Sequence, residues 1–141
     1  MIESDIRKLL QKIAIQTRKS YTKSLRDLGL YLGQELALYH LWKEDGITQS
    51  QLRKKTGTKA STTSNMLKKL ECDQIVYRKN DAEDSRISKV FLTDKGRELQ
   101  EPIEKIWEQH EEQLFQGVLP EELLLMRRIL EQMSANLPID E

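Results

Sequence analysis

At 141 residues the chain has the length of one domain, enough for a real hydrophobic core. Lysine plus arginine balance aspartate plus glutamate at 23 each, so net charge alone gives no pull toward nucleic acid or an anionic surface. The single cysteine, Cys72, excludes an intramolecular disulfide, and no apolar run approaches membrane-spanning length.

No signal peptide opens the sequence, so a soluble, cytoplasmic protein is expected. The charge is segregated along the chain. From Thr48 to Lys79 eight basic residues stand against two acids, a surplus of +6. From Glu98 to Glu141 three basic residues stand against eleven acids, a balance of −8. Such a division fits a basic binding face and an acidic part held away from polyanions. For the acidic end, plain solvated helix faces are the simpler reading.

Ser4 to Leu28 predicts a helix, because Ile6, Leu9, Leu10, Ile13, Ala14, Thr17, Tyr21, Leu25 and Leu28 keep helical spacing. Gly29 and Gly33 bracket a short connection. Glu35 to Trp42 predicts a second helix, apolar nearly all round through Leu36, Leu38, Tyr39, Leu41 and Trp42, and so expected to be buried. Asp45-Gly46 closes it.

Ile47 to Gly96 organises the rest. Thr48 with Gln51 three residues on matches a capping box, and Gly57 suits the left-handed turn that ends this third helix. A fourth helix follows from about Ala60 to Leu70. Thr63, Met66, Leu67 and Leu70 form its packing face. Ser61, Thr62, Ser64, Asn65, Lys68 and Lys69 form the other face, with hydroxyl, amide and ammonium tips that reach base edges and phosphates in a major groove. Ile75 to Lys79 and Ser88 to Leu92 read as two strands joined by a polar loop with Arg86 near its tip. Helix, tight turn, helix and hairpin make a winged helix-turn-helix.

These residues resemble a family. Asp84-Ser85-Arg86 followed by Leu92-Thr93-Asp94-Lys95-Gly96 looks like the wing signature of MarR-type transcriptional regulators. Leu67-Lys68-Lys69-Leu70-Glu71 before Ile75-Val76-Tyr77-Arg78 fits the same pattern, and the match covers about 50 residues in register. Two positions depart from it. Gln74 stands where the family usually has glycine, which predicts a strained turn at roughly 1 kcal/mol. Glu83 stands where the family often has arginine, so the wing does not carry two arginines to DNA.

After the wing, Thr93 is expected to cap a long helix running to about Gln116, lined by Leu99, Ile103, Ile106, Trp107, His110 and Leu114. Pro102 should kink it or move its start. Gly117 ends it, and Pro120 opens a last helix with Leu123, Leu124, Arg127, Leu130, Met133 and Leu137 along one stripe.

The fold class expected is mainly α (α+β): a winged helix-turn-helix with a two-stranded β wing and helical N- and C-terminal dimerisation regions. All of 1–141 forms one domain, with the DNA-binding lobe at 33–97 and the dimerisation helices at 1–30 and 98–141. In the resembled family the chain ends interlock into a two-fold dimer, and long amphipathic end helices agree with this. A compact monomeric helical cap is the alternative. The partners implied are double-stranded DNA, a second copy and a small aromatic or phenolic effector, with no membrane. Lys59, Lys68, Lys69 and Arg86 would meet phosphates, Arg86 entering the minor groove. Ser61, Thr62, Ser64 and Asn65 would read base edges, Asn65 best suited to adenine. The resemblance implies an effector cleft between the dimer body and the reading lobe, for which Tyr21, Tyr39 and Trp107 are the candidates. Each also reads, singly, as a core or interface residue.

No catalytic residues and no cofactor are expected. The chain has no Gly-rich phosphate loop and no Gly-x-Ser-x-Gly elbow. His40 and His110, with Glu35 or Glu111, are the only route to a zinc site, and satisfied histidines are the simpler reading. Relatives that sense oxidants use a cysteine near the start of the first helix, where this chain has none. Cys72, flanked by Glu71 and Asp73, reads as incidental. The rival reading of the whole is a winged-helix protein-interaction module without DNA.

Overall fold

The computed structural model describes residues 1–138. Seven helices and one hairpin follow in order: α1 (Ile2–Arg26), α2 (Gln34–Lys43), α3 (Gln49–Thr56), α4 (Ala60–Cys72), β1 (Val76–Asn80), β2 (Ser88–Leu92), α5 (Asp94–Glu98), α6 (Gln100–Leu114) and α7 (Pro120–Asn136). The strands pair antiparallel from Val76↔Leu92 to Asn80↔Ser88, and an isolated bridge between Thr48 and Lys89 extends the hairpin toward α3. This is the expected mainly helical fold with a two-stranded wing. Among the described residues no helix is long and apolar enough to cross a membrane.

The chain divides into two compact units, Met1–His110 and a second beginning at Glu111. The first holds the core. Leu25, Leu38, Leu41, Leu52, Leu67, Leu70, Val90 and Ile103 are almost wholly buried there. The helix-turn-helix, the wing base and the C-terminal part of α1 all contribute to it. The N-terminal half of α1 does not: Ile2, Ile6, Leu9, Leu10, Ile13 and Ile15 are exposed.

α2 departs from its expectation. Ala37, Leu38 and Leu41 are fully buried, but Leu36 is 47% exposed, and Tyr39 and Trp42 are half-buried. A short helix over one core buries one face only. Polar residues take part of the inside: Gln34 and Glu35 are buried at its start, and both Glu35 carboxylate oxygens accept the Gly33 N–H at 3.0 Å.

The long helix after the wing is two helices. Thr93 Oγ1 accepts the Gly96 N–H at 3.1 Å and so caps the short α5. The chain then turns at Leu99 and restarts. Pro102 has no N–H to give the Glu98 carbonyl, and it falls in the first turn of α6, where missing donors cost nothing. Gly96 sits tightly against the wing base. A Cβ there would run into the Ile75 carbonyl oxygen, and the Gly96 carbonyl accepts Trp42 Nε1–H at 3.0 Å.

In the second unit Gly117 is left-handed at φ +82°, and Pro120 opens α7 as expected. The Glu122 carboxylate accepts the Leu119 N–H at 3.0 Å. α7 buries none of its side chains. Leu125, Met126 and Ile129 add to the predicted stripe, so its apolar surface is wider than one face. Phe115, Leu123, Met126 and Leu130 line an open groove of about 630 Å³.

Candidate nucleic-acid interface

α3 begins on a complete capping box. Gln51 N–H donates to Thr48 Oγ1 at 3.1 Å, and the Gln51 side chain accepts the Thr48 N–H at 2.9 Å. Gly57 ends α3 in the left-handed region at φ +69°. Two residues later α4 starts on Lys59.

α4 keeps the predicted phase. Thr63, Met66, Leu67 and Leu70 are buried, while Ser61, Thr62, Asn65, Lys68 and Lys69 are exposed and Ser64 is half-buried at the seam. Lys59 is exposed just ahead of them. The structure therefore gathers every predicted residue of the helix on one accessible face. Lys69 also reaches Asp73 at 3.3 Å, an exposed pair of small energetic weight.

The wing holds Arg86 apart from that face. Its side chain is 90% exposed. Its backbone N–H and its guanidinium all donate to the Asp84 carboxylate, at 3.0 to 3.2 Å. The guanidinium in turn holds the Asp84 carboxyl below the usual carboxylate range. Asp81 N–H to Ile87 O at 2.8 Å closes the loop beneath it. Asp84 thus supports the arginine, a role that the tripeptide pattern alone does not reveal.

Other residues that build the site carried no separate signal in the sequence. Asp45 Oδ1 accepts the Leu92 N–H at 2.8 Å and its Oδ2 meets Arg97 at 3.1 Å, tying the wing base to the end of α2. Arg78, one of the basic surplus, points inward to Glu71 and Gln49.

The candidate effector residues separate into two groups. Tyr39 meets Trp107 edge-on with ring centroids 5.8 Å apart, and Trp107 meets Trp42 at 6.5 Å. Tyr21 instead lies on His110, at 4.9 Å, one turn along α6. Thr17 Oγ1 lies 3.1 Å from His110 Nε2. Burial, then Lys55 and Lys43, push the His40 imidazole below its usual value. Cys72 is exposed at the last residue of α4.

Comparison with known proteins follows the same geometry. The sequence profile of the MarR family matches residues 30–88, the span from the α1–α2 connection to the start of β2. YdgJ, an HTH-type transcriptional regulator of Bacillus subtilis, is 37% identical over 100 residues, 71% of this chain and 59% of that protein. The chain thus matches about three fifths of that relative's length. Among solved structures, a MarR-family transcriptional regulator from Silicibacter pomeroyi superposes with a TM-score of 0.81 at 28% identity, covering 100% of this chain and 95% of that one. Residues 30–88 thus match the MarR family, and the whole chain has the fold of a MarR-family regulator. A further likeness, S. aureus MepR solved in complex with DNA, reaches a TM-score of 0.86 at 28% identity over 93% of this chain and 97% of that chain.

The two departures from the MarR pattern have visible places. Gln74 sits at φ 60°, the only non-glycine residue with positive φ among the described residues, so the turn after α4 keeps the conformation that glycine would take without strain. Glu83 is exposed in the wing loop, beside the residues that carry Arg86.

Proposed function

We propose that this chain is a MarR-family DNA-binding transcription regulator that reads a pseudo-palindromic operator as a homodimer and represses by occluding a promoter. One observation carries this reading: buried Thr63, Met66, Leu67 and Leu70 turn a polar, basic row outward on α4, with Arg86 exposed separately on the wing. On this reading Lys59, Lys68, Lys69 and Arg86 contact phosphates, Arg86 reaching into the minor groove. Ser61, Thr62, Ser64 and Asn65 face base edges. The likeness to MepR, solved on DNA, supports DNA as the partner. The regulator would act in the cytoplasm, where its duplex lies.

The test is binding of the purified chain to a random-sequence duplex across a range of salt. A regulator of this kind binds it with an affinity that falls steeply as salt rises. A protein-interaction module shows no such binding. Selection from a random library then yields the operator.

A small aromatic anion is the effector that Tyr39 and Trp107 suit, with Tyr21 of α1 packed on His110, one turn from Trp107. It would act by changing the distance between the two copies of α4, which must lie about 34 Å apart to enter successive major grooves. Its effect is limited to its differential affinity for the two states. Salicylate titrated against tryptophan fluorescence tests this, and an unchanged signal sinks this choice of ligand.

A further inference from the structure

We infer that Thr58 and Arg78 are positioning residues that fix α4 to α3 at its two ends, and that neither touches DNA; the inference rests on the DNA-reading role proposed above. Base reading needs the side chains of α4 held to within a fraction of an ångström. The apolar seam of Met66, Leu67 and Leu70 sets which face of α4 turns outward, but apolar burial is not directional and leaves a residual freedom of roll and slide on α3. Polar ties remove that freedom, and the structure has one at each end.

The tie at the start of α4 is a chain of three hydroxyls. Thr56 Oγ1 lies 3.0 Å from the Leu52 carbonyl oxygen and 3.2 Å from that of Arg53. A carbonyl only accepts, so the Thr56 proton points back into α3. The Thr56 oxygen then accepts from Thr58 at 2.9 Å, and the Thr58 oxygen accepts from Thr63 at 2.6 Å. The direction is forced along the whole chain: Thr63 to Thr58 to Thr56 to the α3 carbonyls. Thr58 alone of the three lies outside both helices, and it uses its donor toward one and its acceptor toward the other. Thr63 is 2% exposed, so its hydroxyl depends on Thr58 rather than water.

The tie at the far end is Arg78 of β1. Its Nε and Nη2 donate to the two Glu71 oxygens at 3.4 and 3.2 Å, and its Nη1 donates to Gln49 Oε1 at 3.2 Å. Glu71 lies in the last turn of α4 and Gln49 is the first residue of α3. One planar guanidinium therefore joins opposite ends of two helices, which a lysine's single ammonium cannot reproduce. At 22% side-chain exposure it is turned into this contact. Charge counting would place Arg78 on phosphates; its hydrogen bonds place it behind the helix that reads.

The experiment measures affinity for a duplex that the unmodified chain selects from a random library, and for a scrambled version, at several salt concentrations. Thr58→Val and Arg78→Met should each weaken the selected duplex roughly tenfold, the effect of one lost polar tie, and change the scrambled duplex little. The slope of log affinity against log salt should stay that of the parent. Thr58→Ser keeps the hydroxyl and should restore parental binding. Adding Glu71→Met to Arg78→Met should cost nothing further, because both remove the same contact. A slope flatter by about one unit in Arg78→Met would mean a lost phosphate contact and overturn the assignment. So would equal losses in Thr58→Ser and Thr58→Val, or additive losses at Arg78 and Glu71. If the unmodified chain binds no duplex, the DNA reading itself fails and takes this inference with it. Should Arg78→Met unfold, Glu71→Gln makes the same measurement with a smaller expected loss.

Discussion

Asn65 and Arg86 are both open to solvent, but they are held in different ways. Asn65 rides on a helix whose opposite face is buried, so its amide has a fixed direction. Arg86 stands on a hairpin tip, and its guanidinium is steadied by Asp84. Asn65→Ala should therefore cost about 1–3 kcal/mol on the operator and little on random DNA. Arg86→Ala should weaken both duplexes alike and flatten the salt slope by about one unit. Titrating both variants on both duplexes tells the two roles apart, and equal losses for Asn65→Ala would mean that it touches only the backbone. The direction of Asn65 was legible in the sequence because a helical period fixes it. The support of Arg86 by Asp84 was not, because a side chain's partner inside a loop depends on the loop's path. Gln74 was legible as a strained turn, since the chain direction after α4 demands a left-handed residue. Gln74→Gly should accordingly raise stability by about 1 kcal/mol or somewhat less, because glycine loses more freedom on folding. Urea denaturation reads this, and a destabilised variant would mean that the Gln74 side chain makes a compensating contact.

At the scale of elements, α2 and the α5–α6 pair were the hardest to read. The apolar residues of α2 suggested burial all round, yet Gln34 and Glu35 lie deeper than Leu36. Sequence pattern cannot foresee a buried carboxylate whose partner is a neighbouring backbone N–H. The break at Leu99 was only half legible: Pro102 announced a disturbance, but whether a kink or a restart depends on where Thr93 caps α5. Glu35 gives this scale its prediction. Burial raises its pKa above the usual carboxylate value, against the lowering effect of the Gly33 N–H. The native state thus keeps the proton to higher pH than the unfolded chain does. By linkage its contribution favours folding below the ordinary carboxylate value and is lost as pH rises through the raised one. Glu71 has the opposite sign, because Arg78 lowers its pKa and its contribution is lost only as pH falls. Whole-protein stability mixes the two, so the difference between Glu35→Gln and the parent is the quantity to measure. Relative to the parent, Glu35→Gln should gain stability with rising pH above the ordinary carboxylate range, and the difference should be flat below it. A difference constant across that window would show that the Glu35 charge is not penalised by its surroundings.

At the scale of the molecule, α1 and α7 each carry exposed apolar side chains among the described residues. On α1 Ile6, Leu9, Leu10 and Ile13 are each about two fifths to three fifths exposed, and on α7 Leu124, Leu125, Ile129 and Leu130 are similar. A monomer rarely shows contiguous apolar surface on this scale. The monomeric-cap alternative requires these side chains to be covered within one copy, and α7 buries none of its own. A second copy is the economical cover. In the proposed dimer it would also supply the second α4 that a pseudo-palindrome needs, and so would tie stability to DNA reading. The full chain should sediment as a dimer at micromolar concentration. Its melting temperature should rise with protein concentration, as for any assembly that binds its folded form. Removing residues 120–141 should leave a monomer or an aggregate, and in either case lose operator binding more than random-duplex binding, since on the proposed reading a lone copy would keep its phosphate contacts but read only one half-site. A full-length chain that sediments as a monomer at that concentration would refute the dimer, and the exposed faces of α1 and α7 would then need another partner.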